Sequence, residues 1–286
     1  MEVSHADKVL FPNEGLTKWD LVQYYAKVSE TMLPHVRDRP LSQQRFPDGI
    51  RGQGFYHKNI PDFFPDWIGR VKLKTNKGPQ QQILANHPAV LPYLANQNCI
   101  TPHTMLCCAG HLHRPDLLIF DLDPATEDEF SVVRQGARIL RDLLEETGLV
   151  PFVKTTGSKG LHITCPLEPK AGFAKVHRFA EAVGQALATR KPDRFTLEFL
   201  KKKREGRVFV DVHRNAPAQT AVPPYAVRAR PGAPVAAPID WEELGRVNPE
   251  KFTIRNLFRR LSRVGDPWRD FHRHARPLPD LRAIPD

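Results

Sequence analysis

At 286 residues, with 41% hydrophobic and 26% charged residues, the chain has the length and composition of one large globular domain or of two intimate lobes. No run of about 18 apolar residues exists, and the opening MEVSHADKVLFP has no basic segment followed by an apolar core, so neither a membrane span nor a secretory leader is expected. A formal net charge of +10 and a pI of about 9.6 favour a polyanionic partner, nucleic acid first; a generally basic proteome is the plainer alternative.

In chain order, TKWDLVQYYAKVSETML reads as a helix capped by Thr17, with Leu21, Tyr24, Tyr25, Val28 and Met32 at helical spacing. RPLSQQRF, around 39 to 46, reads as a strand followed by a turn. FPDGIRGQGFYHKNIPDFFPDW, rich in glycine, proline and aromatics, reads as an ordered loop region. A short helix is expected from Pro88 to Gln97. DLLIF is an apolar strand. EFSVVRQGARILRDLLEETG is a helix stopped by Gly148.

PFVKTT and GLHITCPL read as two strands around a tight Gly-Ser-Lys-Gly turn, and FAKVHRFAEAVGQALATR as another helix. FTLEFL and RVFVDVH read as two strands joined by the basic turn KKKREG. Residues 216 to 238, dominated by proline, alanine and arginine, read as an extended arm over the surface or a linker. NPEKFTIRNLFRRLSR is a final helix. There is no internal repeat, and the mixture of strands and helices indicates α/β or α+β. The four cysteines, Cys99, Cys107, Cys108 and Cys165, show no disulfide framework, so a reducing cytoplasm is the expected home.

Three features carry chemistry. LLIFDLDP ends an apolar strand in Asp121 and Asp123, which share one strand face at roughly 7 Å between Cα atoms. Two such carboxylates repel, and a divalent cation such as Mg²⁺ or Mn²⁺ removes the conflict; capping of the next turn is the plain reading for a lone D-x-D. In RVFVDVHRN a second apolar strand leads into Asp211, a candidate third carboxylate of a two-metal phosphoryl-transfer site. In TTGSKGLHI, Gly157 and Gly160 allow a turn whose N–H groups can face phosphate oxygens, beside Thr156, Ser158, Lys159 and His162; an ordinary hairpin turn has the same composition. Between Leu200 and Arg230, eight basic residues, Arg204 among them, face two acidic ones. Cys107, Cys108, His111 and His113 form a soft-ligand cluster, but adjacent cysteines seldom make a tetrahedral zinc site.

DLDP, GSKGLHI and VFVDVHRN, in that order, resemble the three motifs of the archaeo-eukaryotic primase superfamily, and within it the polymerase domain of bacterial DNA ligase D and its stand-alone relatives. The resemblance runs from about Ser4 to about Trp241 and includes DKVLFP, GLTKWDLVQYY, LPHVRDRP and PDWI. It implies a bilobal primase-polymerase fold with an RRM-like catalytic β-sheet core flanked by helices. On that basis the chain is read as one domain over 1–286: N-terminal lobe elements over about 1–115, a catalytic core over about 116–240, and a C-terminal helical extension over 241–286.

The resemblance further implies a metal-dependent nucleotidyltransferase that fills gaps and extends ends in repair such as non-homologous end joining, using two Mn²⁺ or Mg²⁺ ions and NTP or dNTP, with ribonucleotides preferred. It makes Asp121, Asp123 and Asp211 the metal ligands. It brings Thr156, Ser158, Lys159, His162 and Arg228 to the incoming triphosphate, and His103 to the sugar. It gives Lys8 and Lys18 to a downstream 5′-phosphate, and Arg45, Phe55, Tyr56 and Arg204 to DNA. Gln44, Thr101 and Pro102 depart from the family's usual residues. Without the resemblance, Lys8 and Lys18 read as solvated lysines and Phe55 and Tyr56 equally well as core. The implied partners are gapped or broken duplex DNA, a DNA ligase and Ku, in a bacterial nucleoid, with no membrane. A primer-independent primase, a non-catalytic DNA-end-binding module and a metal-dependent phosphodiesterase are the rival readings.

Overall fold

The structure is a computed structural model that describes residues 2–75, 78–126 and 130–285. In chain order its elements are β1 Val9–Phe11, β2 Leu16–Thr17, α1 Lys18–Val36, β3 Pro40–Arg45, β4 Phe55–His57, β5 Gly69–Thr75, β6 Gly78–Leu84, α2 Val90–Asn96, β7 Cys99–Met105, β8 Leu117–Asp123, α3 Phe130–Glu146, β9 Phe152–Thr155, β10 Leu161–Pro166, α4 Phe173–Arg190, β11 Phe195–Thr196, β12 Val208–Asp211, β13 Thr220–Ala221, β14 Pro238–Ile239 and α5 Leu257–Val264. The fold class is mixed α/β, as expected. The chain forms two compact units from interleaved stretches: residues 1–110, 220–236 and 252–263 in the first, 111–219, 237–251 and 264–286 in the second.

The first unit is built on a sheet of order β13-β7-β3-β6-β5, with β4 paired to β3. Helix α1 begins at a capping box: the Thr17 hydroxyl accepts from the Asp20 N–H, and the Asp20 carboxylate accepts from the Thr17 N–H. Its apolar stripe, Leu21, Tyr25, Val28 and Met32, is buried.

Three expectations are corrected in this unit. The glycine- and proline-rich stretch read as loop contains β4, because Gln43, Gln44 and Arg45 on β3 offer an edge to His57, Tyr56 and Phe55. The hairpin β5–β6 stands where no strand was expected. Its signal is the alternation of Val71 and Leu73 with Arg70, Lys72 and Lys74, a two-residue period in a polar segment. The supposed surface arm is core. Ala221, Val222, Tyr225, Ala226, Val227, Ala233, Val235 and Ala236 are all buried, so the prolines shape an irregular path through the interior.

In the second unit the sheet order is β11-β12-β8-β10-β9-β14. Alternation divides its faces. Leu118, Phe120 and Leu122 of β8 align with Cys165, Ile163 and Leu161 of β10, and Leu122 also with Val210 of β12. The close approach of Gly184 to Val210 sets α4 against this apolar face, and Gly136 of α3 meets Phe195. Asp121, Asp123, His162 and Asp211 therefore belong to the opposite face. Gly148, at φ 85°, takes the left-handed conformation that ends α3; Glu129, where the sequence starts that helix, lies outside the described residues.

Two more expectations are corrected by the backbone pairing. FTLEFL is a strand only at Phe195–Thr196, and it runs parallel to β12, so KKKREG is part of a crossover and not a hairpin turn. The final helix shortens to Leu257–Val264, because the stretch before it is held in turns such as Asn256 N–H to Thr253 C=O.

Candidate active site

Four polar residues form a row across the second unit's sheet. Lys154 on β9 aligns with His162 on β10, His162 with Asp121 on β8, and Asp121 with Asp211 on β12. Asp123, two residues along β8, shares their face. All but Asp123 are buried. Strand pairing thus brings together carboxylates that lie 90 positions apart in sequence.

His162 Nε2 lies 3.3 Å from Asp121 Oδ2. The Arg214 Nε lies 3.6 Å from Asp121 Oδ2 and 3.5 Å from Asp211 Oδ2. Burial tends to raise the Asp121 carboxyl, but His162, Arg214 and Lys154 outweigh it and hold the group well below the usual range. Asp123 is pushed the other way, to about 7, by the Asp121 charge first, then by burial and by Asp211. Burial, followed by the Asp121 charge, raises Asp211. Burial and the Lys154 charge lower His162 to about 4 against the pull of Asp121. At neutral pH its imidazole is therefore neutral, and the contact with Asp121 is a hydrogen bond donated from Nε2, not an ion pair.

The donor chemistry fits a divalent cation. Asp121 Oδ1 is buried without a hydrogen-bond partner among the described residues, and the mutual repulsion that raises Asp123 is what a cation removes. Among the described residues no three histidine, cysteine or carboxylate groups are arranged to hold an ion as they stand. Arg214 supplies the counter-charge instead. Asp123 Oδ1 leans toward Gly160, 3.3 Å from where a Cβ there would stand. Oxygen donors of this kind suit Mg²⁺ or Mn²⁺, and Asp121, Asp123 and Asp211 are the residues that could hold one.

The glycine turn sits against this face. The Thr156 hydroxyl donates to the Gly160 C=O and accepts from the Gly160 N–H at 3.1 and 3.2 Å, closing the turn on itself. Gly157 has φ 61°. A Cβ on Gly160 would stand 1.9 Å from the Leu122 C=O, between the two aspartates of β8. Only glycine lets the turn lie that close. Ser158 and Lys159 remain half-buried at its tip. Arg204 is fastened to its own loop through the Glu198 and Phe199 carbonyls, and its guanidinium covers the Phe209 ring at 3.9 Å; its charge also reaches Asp123.

The remaining sequence candidates lie in the first unit. The β1–β2 pairing brings Lys8 and Lys18 together, with the Lys18 N–H donating to the Lys8 C=O. Lys18 is buried, and its ammonium donates to Ser4 Oγ and the Asn96 C=O, both at 3.2 Å. Burial, followed by the Lys8 charge, lowers its pKa. Arg45 donates to the Gln97 C=O and lies over the Phe55 ring. Phe55 and Tyr56 are 44% and 55% exposed, so neither is core; the Tyr56 ring meets that of His103 edge-on. Arg228 is half-buried on the segment that threads the interior.

Three site residues escaped the sequence reading. Lys154 had a signal, a lysine inside the apolar strand PFVKTT. Arg214 follows Asp211 by three positions, one turn on. Asn215 is fully buried and uses its amide to grip β8: Nδ2 donates to the Ile119 C=O and Oδ1 accepts from the Ile119 N–H.

Comparison with known proteins places these features in a family. Residues 17–268 match the family model described as LigD, primase-polymerase domain. The chain is 30% identical over 286 residues to the bifunctional non-homologous end joining protein LigD of Bacillus subtilis, covering 99% of this chain and 46% of that protein. It is 33% identical over 272 residues to the multifunctional non-homologous end joining DNA repair protein LigD of Mycobacterium tuberculosis, covering 92% and 36%. The chain thus spans about a third to a half of the curated relatives it matches. The polymerase domain of Mycobacterium tuberculosis ligase D, solved in complex with DNA, superposes with a TM-score of 0.89 at 31% identity, covering 96% of this chain and 99% of that one.

Proposed function

The chain belongs to the LigD primase-polymerase family, whose members are nucleotidyltransferases of end-joining repair, and we propose that it is a metal-dependent, DNA-directed polymerase that fills short gaps and extends broken ends. The observation that carries this reading is the in-register row of Asp121 and Asp211, with Asp123 beside them, on the polar face of a sheet in a strongly basic chain. Such carboxylates are of use where a chain must hold cations against phosphate.

The protein's own groups divide the work. Asp121 is kept ionised, and His162 orients it through a ring N–H. Two Mn²⁺ or Mg²⁺ ions bound by Asp121, Asp123 and Asp211 would supply the positive charge that activates the primer hydroxyl and steadies the leaving pyrophosphate. The turn Thr156–Gly160 offers backbone N–H groups, with Ser158 and Lys159 at its tip, to the triphosphate of an NTP or dNTP. Arg228 adds a forked cation suited to phosphate. His103 would stand at the sugar of the incoming nucleotide, with ribonucleotides preferred. Phe55 and Tyr56, exposed beside Arg45, suit stacking on template bases, and Arg204 suits the DNA backbone.

Lys8 and Lys18 are two cations held together against their repulsion, and a 5′-phosphate dianion on the downstream strand relieves it. The partners in this reading are gapped or broken duplex DNA, a DNA ligase and Ku, within the bacterial cytoplasm. The test is nucleotide addition to a gapped, 5′-phosphorylated duplex with Mn²⁺, comparing ribo- and deoxyribonucleotides. Asp121→Ala should abolish addition while DNA binding persists; undiminished extension by that variant would overturn the reading.

A further inference from the structure

The segment that carries Arg228 has an unusual attachment. At Thr220 and Ala221 it pairs with β7 as a regular ladder, opposite Met105 and Thr104. Pro223 and Pro224 then interrupt the ladder, since proline has no N–H to donate, and Tyr225 turns the chain with φ 68°. Beyond the turn the far edge resumes backbone pairing: the Ala236 N–H donates to the Ala226 C=O at 2.9 Å and the Arg228 N–H to the Pro234 C=O at 2.7 Å. The β7 side is held by side-chain hydroxyls instead.

Three hydroxyls grip consecutive stretches of this backbone. Tyr24 Oη donates to the Tyr225 C=O at 2.7 Å. Tyr25 Oη accepts from the Val227 N–H at 3.1 Å while donating to the Ile100 C=O at 2.7 Å. Thr101 Oγ1 donates to the Val227 C=O at 2.7 Å. Both polar atoms of Val227 are therefore fixed, each by a different side chain. Tyr25, Thr101 and Val227 are all buried. The next residue is Arg228.

We infer that Tyr25 and Thr101 are positioning residues for Arg228: they lock the Val227 N–H and C=O and so fix where the guanidinium leaves the backbone. This rests on the reading of Arg228 as a triphosphate contact. Thr101 also lies two residues before His103 on β7, so the two side chains share a strand face and one strand sets both groups.

The experiment is a double-mutant cycle on the full chain, read as displacement of a fluorescent ATP analogue by ATP and by inorganic tripolyphosphate in the presence of Mn²⁺. Thr101→Val removes the hydroxyl and should weaken both competitors about tenfold, because a displaced charge–phosphate contact loses its alignment. Thr101→Ser should restore wild-type binding. In an Arg228→Ala background, Thr101→Val should add nothing. Equal losses in the two backgrounds, or a loss for ATP without one for tripolyphosphate, would overturn the inference. Arg228→Ala binding both competitors like the wild type would overturn the triphosphate role of Arg228, and the positioning role with it. If Thr101→Val does not fold, Tyr25→Phe carries the same cycle, since it removes the acceptor of the Val227 N–H.

Discussion

Asp211 on β12 stands directly across from Asp121 on β8, and Arg214 lies against both carboxylates at 3.5 and 3.6 Å. The guanidinium balances charge that a cation would otherwise meet. Asp211→Asn keeps the shape and removes one charge from the pair. Addition to a gapped duplex should fall by about a hundredfold or more. Chelation with EDTA should abolish addition by the wild type, and excess Mn²⁺ should restore it. A wild type that extends at full rate in EDTA would remove the cation from the mechanism.

Gly160 is a position where no side chain fits. A methyl there would meet the Leu122 carbonyl at 1.9 Å, and that carbonyl belongs to the strand bearing Asp121 and Asp123. Gly160→Ala must therefore shift the turn or the strand, costing about 3 kcal/mol and disturbing both aspartates. A lowered urea midpoint together with a fall in addition of tenfold or more is expected. Gly110→Ala meets nothing within 4 Å and serves as the neutral control.

Asn215 extends the β8 ladder with a side chain. Beyond the Asp211–Asp121 pair the backbone of β12 turns away, and the Asn215 amide takes its place at Ile119, with a further bond from Nδ2 to the Val212 C=O at 2.9 Å. Asn215→Ala leaves both polar atoms of Ile119 buried and unmatched, which should lower stability by about 3 kcal/mol in denaturant titration. The same change frees the turn that carries Arg214, so addition should fall further than stability alone explains, even at temperatures where the variant is fully folded.

The sequence reveals what is local or periodic. The Thr17 cap, the α1 stripe, the whole of α4 and the apolar strands bearing Asp121 and Asp211 follow from spacing and composition. What it conceals is pairing. Nothing in FTLEFL says that it runs parallel to β12, and nothing in VPPYAVRARPGAPVAA says that its alanines and valines are interior, because proline and arginine give that stretch the composition of a linker. Lys154 and Asn215 matter only through registers and contacts made across strands. The family motifs named the carboxylates, while the groups that hold them became visible only in three dimensions.

Lys8 and Lys18 offer the sharpest separation between solvated lysines and a phosphate pocket. Lys18 is buried beside Ser4 and Asn96, whereas Lys8 is partly exposed and lies 3.6 Å from Asp48. An exposed pair such as Lys8–Asp48 contributes little to stability, so Lys8→Ala should leave the melting temperature unchanged. Lys18→Met keeps most of the buried volume while removing the charge. Together the two changes should weaken binding to a 5′-phosphorylated gap by about 10- to 100-fold, since each ammonium contributes a charge-assisted bond to a dianion. Binding to the same gap ending in a 5′-hydroxyl should change far less. The salt dependence should follow: one phosphate contact fewer lowers the slope of log affinity against log salt by about one. Equal losses on the two gaps would return both lysines to general electrostatics and remove the 5′-phosphate pocket from the proposal.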